Sequence, residues 1–96
     1  MNPIKVIREN THKLTDLPNI GKASALDLEL LGIKSPEDLI GQDPFEMYER
    51  LCAITNTRHD PCVIDVFMSI TDFMNGAEAK PWWDYTPQRK RILSDN

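Results

Sequence analysis

Ser35-Pro36, Asp43-Pro44 and Asp60-Pro61 each place a helix-capping side chain immediately before a proline. The first residue of each pair can accept an N–H that opens a helix, and proline loses nothing where that N–H would be unpaired. Acids follow at Glu37, Asp38 and Glu46, where the helix dipole favours negative charge, and Glu46 stands at the capping-box position. Thr86-Pro87 repeats the pattern near the end of the chain. With nothing that reads as a β-hairpin, these signals predict an all-α fold.

Apolar spacing agrees. Ile4, Ile7, Thr11 and Leu14 fall at helical intervals, as do Leu26, Leu30 and Ile33. Phe45, Tyr48, Leu51 and Cys52 share a face, and Val63, Val66, Phe67, Ile70, Phe73 and Met74 form the strongest stripe. Gly32, Gly41 and Gly76 stand where helices should end. The predicted order is helix, tight hairpin, helix, connector helix, helix, loop, helix and tail. Residues 1–79 read as one domain, with an aromatic and basic tail, 80–96, packed on it.

Ninety-six residues suffice for one small core, and 41% hydrophobic with 27% charged residues is a globular balance. No apolar run approaches the roughly 20 residues of a membrane helix, and no signal-peptide pattern opens the chain. Two cysteines without an export signal suggest free thiols in a cytoplasmic setting. A net charge of −4 argues mildly against nucleic acid, but the charge is uneven. Residues 1–22 carry four basic against two acidic side chains, 23–85 four against twelve, and 86–96 three against one. If the two ends met, they would form a basic patch on an acidic body.

The stretch "DLPNIGKASA", 16–25, packs a proline, an asparagine and a glycine around Ile20 and then starts a helix. At that start the N–H groups of Gly21, Lys22 and Ala23 can face an anion, with Lys22 adding charge and Ser24 a hydroxyl. "LPNIGKASALDLELLGI" (17–33) resembles a helix-hairpin-helix motif, with Leu17 and Ile20 as apolar anchors, Gly21 as second glycine and Ala25 as the small helix residue. The helix order resembles the doubled, five-helix (SAM-like) form of that motif. "LPNIGKASA", "DPFEMYERLC", "RHDPCVIDVF" and "PWWDYTPQRK" resemble a closer family of small bacterial proteins described as pathogenicity-locus or mitomycin-resistance proteins. A weaker likeness is to the C-terminal domain of the competence regulator TfoX. The resemblance to helix-hairpin-helix proteins implies salt-sensitive, sequence-insensitive binding to the DNA backbone. Asn19 would contact phosphate with Gly21, Lys22, Ala23 and Ser24, helped by Arg58 and by Arg89, Lys90 and Arg91. Asn19 departs from the motif, where the first glycine stands; the position calls for positive φ, which asparagine tolerates. Its side chain occupies space at the hairpin tip. The alternative is a protein-interaction module that keeps the hairpin for packing.

Cys52, His59 and Cys62 offer three ligand types but lack the usual zinc spacing, and they read more simply as packed thiols and a loop. Cys62 near a helix start beside His59 is a minor nucleophile candidate. Trp82 and Trp83 read as cover for a small core, with base stacking as the other use. Met47, Met68 and Met74 read as core filling, and His12 as a surface residue on the first helix. No phosphate loop, carboxylate pair or catalytic triad is visible, so the sequence points away from an enzyme and requires no cofactor.

Overall fold

Residues 6–94, which the computed structural model describes, form helices α1 (Lys22–Leu30), α2 (Pro44–Thr55), α3 (Cys62–Met74) and α4 (Thr86–Ser94), with 3-10 turns before and between them and no strand. None of these helices is long and apolar enough to cross a membrane.

Helix α3 is the axis of the molecule. Ile64, Asp65, Phe67, Met68, Ser69, Ile70, Thr71 and Phe73 are all buried, so it is covered on almost every side. Its β-branched residues have modest helix propensity, and burial against its neighbours holds it helical. Asp60 opens it by accepting the Cys62 N–H at 2.8 Å, and Asp43 opens α2 by accepting from Phe45 at 2.9 Å. At the other ends, Gly32 and Gly76 turn through φ 84° and 115°. The N–H of Ile33 returns to Leu28 O and that of Ala77 to Asp72 O, the pairing that closes a helix with a left-handed residue. Asn56, at φ 52°, does the same after α2.

The predicted first helix does not form. Arg8–Asn10 and Leu14–Asp16 are separate 3-10 turns. The Thr11 hydroxyl donates back to Ile7 O, and Asp16 accepts the N–H groups of both His12 and Lys13 at 3.0 Å. Those bonds compete with a helical ladder and end it. Ile4, part of that stripe, lies outside the described residues. His12 is exposed in the bend between the turns, not on a helix. The connector, Pro36–Leu39, is likewise 3-10, with Asp38 accepting from Lys34 and Ser35. Asp16-Leu17 and Asp38-Leu39 are therefore the same device twice. Each carboxylate gathers two N–H groups and is held below its usual pKa by them, and the next leucine is fully buried.

Two apolar assignments are also corrected. Leu26 and Leu30 are 58% and 52% exposed, whereas Leu28 and Leu31 enter the core beside Ile33. "LDLELL" puts a leucine on nearly every face of α1, so periodicity could not orient it. Trp83 is 57% exposed, so it does not cover the core; Trp82 is half-buried, edge-on to it at 5.6 Å. Tyr85 is the buried aromatic of that segment, and its hydroxyl donates to Asp72 at 3.0 Å.

Candidate nucleic-acid interface

The hairpin is fixed from beneath. Leu17 and Ile20 are 0% and 1% exposed, and Ala25 packs at the edge of the same core. Asn19 takes φ 66°, the left-handed conformation expected of it. Its side chain does not stand at the tip. The amide nitrogen donates to Ser69 Oγ at 3.0 Å and to Lys80 O at 2.8 Å, tying the hairpin to α3 and to the segment leading into the tryptophans. Ser69 is itself buried and donates to Val66 O, which leaves its lone pair for Asn19. The space in front of the hairpin is thereby left clear of the amide.

Immediately after it, Gly21, Lys22 and Ala23 are exposed, and Ser24 is half-buried. The first ladder bond of α1 runs from Ala25 N–H to Gly21 O, so the N–H groups before it have no helical partner. No side chain caps this end, and no acid lies in its first turn. The starts of α2 and α3 are each closed by an aspartate. Gly21 itself has an extended backbone, φ −94° and ψ −171°, that any residue adopts. A Cβ built on it meets nothing within 4 Å. The fold does not require glycine there.

The other cations expected at phosphate are distributed differently. Arg89 is 8% exposed and its Nε donates to Asp65 at 2.9 Å, with Asp65 fully buried. Thr86, expected as a simple cap, donates its hydroxyl to the same carboxylate at 2.6 Å. Arg89 is thus withdrawn from the surface cluster, because its charge is what permits Asp65 to be buried. Lys90 and Arg91 are exposed. Arg58 is exposed but paired with Glu49 at 3.0 Å, across the face of Tyr48. Two other arginines close helix ends: Arg8 donates to Phe73 O and Ala77 O at the end of α3, and Arg50 to Leu31 O after α1. No local signal marks these roles, since each partner lies 19 or more positions away.

The thiol and imidazole candidates do not assemble. Among the described residues no group of three His, Cys, Asp or Glu side chains is placed to hold a metal. Cys52 Sγ receives the His59 N–H at 3.5 Å. The Thr55 hydroxyl lies 2.8 Å from both Leu51 O and His59 Nε2, which engages the imidazole within the loop. Cys62 faces Asp60 instead, and that carboxylate, with burial, pushes its thiol pKa up. A nucleophilic cysteine requires the opposite shift.

A sequence profile of the pathogenicity-locus family (Cdd1) matches residues 7–91. The chain belongs to the pathogenicity-locus family. Within it, the chain is similar to the mitomycin resistance protein McrB of Streptomyces lavendulae, 46% identical over 81 residues that cover 84% of this chain and 77% of the relative. No solved structure gives a significant match. The family match takes in the hairpin, all of α1 to α3 and the Asp65–Arg89 pair, so these features lie inside the family's common region.

Proposed function

We propose that this pathogenicity-locus protein binds the phosphate backbone of DNA, with the turn at 17–21 and the first turn of α1 forming the contact. The observation that carries the reading is the uncapped N-terminus of α1, with Lys22 exposed beside it and open space before Gly21. Free N–H groups at the positive end of a helix are suited to a phosphate oxygen.

Titration of a fluorescent duplex by anisotropy tests this. Two to three phosphate contacts should weaken binding roughly 10- to 40-fold between 50 and 200 mM salt. Lys22→Glu should weaken it by about five- to tenfold at the low-salt end, because it reverses a charge at the contact. Absence of binding at 50 mM salt would sink the reading. Gly21→Ala separates binding from folding. Its stability should stay within about 1 kcal/mol, since the gain from a stiffer unfolded chain opposes the poorer cap. DNA affinity should fall severalfold, because the new methyl group stands where the phosphate approaches. Equal affinity would show that the open space is incidental.

A second reading rests on Leu26 and Leu30, exposed one turn apart on α1. They favour docking of a protein partner, and that reading expects no DNA binding at any salt concentration.

A further inference from the structure

A second concave feature lies away from the hairpin, where α2, the start of α3 and the end of α4 meet. It is an open groove of about 590 Å³, within the size range of small-molecule sites. Phe45, Tyr48, Ile64 and Leu93 are among the side chains that line it. Tyr48 and Ile64 are 5% and 3% exposed and belong to the core, so this wall is rigid. The Tyr48 hydroxyl donates to His59 O, which fixes the ring.

The rim carries more negative than positive charge. Asp43 contributes a carboxylate whose capping bonds both go to Oδ1, leaving Oδ2 for a donor from outside. Glu49 stands at the rim too, held by Arg58 at 3.0 and 3.2 Å. The Arg58 guanidinium lies 5.8 Å from the Tyr48 ring centroid, so the ring already faces one cation. Two carboxylates against one guanidinium leave the mouth net negative, in the middle of the chain's acidic stretch.

We propose that this groove binds a compact, planar aromatic cation, its rings against Phe45 and Leu93 and its amino group toward Asp43. Apolar walls supply the affinity and the rim carboxylates select the charge. The site is independent of the DNA reading, because it shares no residue with the hairpin.

The test uses proflavine, a planar fluorescent cation, and 9-anthracenecarboxylate, an anion of similar ring size, with the full chain and no DNA. Proflavine should bind with a Kd on the order of 10–100 μM. Its amide shift changes in a 1H–15N spectrum should centre on residues 43–49 and 92–93. The anion should bind at least tenfold more weakly. Leu93→Arg, at a 42% exposed position, should cost proflavine at least tenfold in affinity. Ile54→Arg adds the same charge at a 50% exposed position outside the groove and should change it less than twofold. The proposal is overturned if proflavine fails to bind at millimolar concentration, if both substitutions weaken it equally, or if the anion binds as well. Shifts centred on α1 would overturn it too. None of these results bears on the duplex titration, so the two ideas fail separately.

Discussion

Asp65→Ala should lower the free energy of unfolding by about 3–5 kcal/mol, a large part of the 5–15 kcal/mol typical of a domain this size. Asp65 is 0% exposed and accepts from Arg89 Nε at 2.9 Å, from Arg89 Nη2 at 3.3 Å and from the Thr86 hydroxyl at 2.6 Å. Removing the carboxylate leaves the Arg89 guanidinium, 8% exposed, inside the protein without its counter-charge. The penalty comes from that stranded charge more than from the bonds lost. Arg89→Met should cost a similar amount, by stranding Asp65. The double change Asp65→Leu with Arg89→Met should recover most of the loss, since an apolar pair has no charge to desolvate. Urea denaturation of these proteins measures the costs, and Asp65→Leu alone completes a double-mutant cycle with Arg89→Met. A cost below about 1 kcal/mol for either single change would mean that water reaches the pair and the burial argument is wrong.

Asn19→Ala should cost about 2–4 kcal/mol. Alanine at φ 66° costs about 1–2 kcal/mol, and the two amide bonds, to Ser69 Oγ and Lys80 O, contribute about 0.5–1 kcal/mol each. Asn19→Gly separates the two parts, because glycine accepts the positive φ and loses only the bonds. Its expected cost is about 1–2 kcal/mol by the same denaturation experiment. If Asn19→Gly were as stable as the parent, the amide would be no strap between hairpin and α3. Asparagine would then serve the backbone angle alone. Because the amide is turned inward, Asn19→Gly should leave duplex affinity unchanged, in contrast to Gly21→Ala on the other side of Ile20.

Much of the hairpin was legible because its chemistry is local. A proline, a residue at positive φ and an apolar plug within five positions define Leu17 to Gly21, and Leu17, Asn19 and Ile20 behave as their types predict. The caps at Asp43 and Asp60 were legible for the same reason: donor and acceptor are two positions apart. The first segment misled because Ile7, Thr11 and Leu14 have helical spacing, while Asp16, outside that stripe, takes the N–H groups the helix would need. The basic cluster at 89–91 misled in another way. Its three side chains look alike in sequence, and only Arg89 turns inward to α3.

By itself, then, the sequence determined an all-helical chain, where α2 and α3 begin, where helices close on Gly32 and Gly76, and the backbone angle at Asn19. Each depends on atoms a few bonds apart, whose geometry neighbouring residues dictate. The tertiary structure decided which face of α1 is buried, which arginines are spent on helix ends and on Asp65, and that the Asn19 amide leaves the hairpin tip clear. Those outcomes turn on partners 19 to 69 positions away and on burial, which makes a charge without a partner costly. No local pattern specifies such partners until the core has formed around α3.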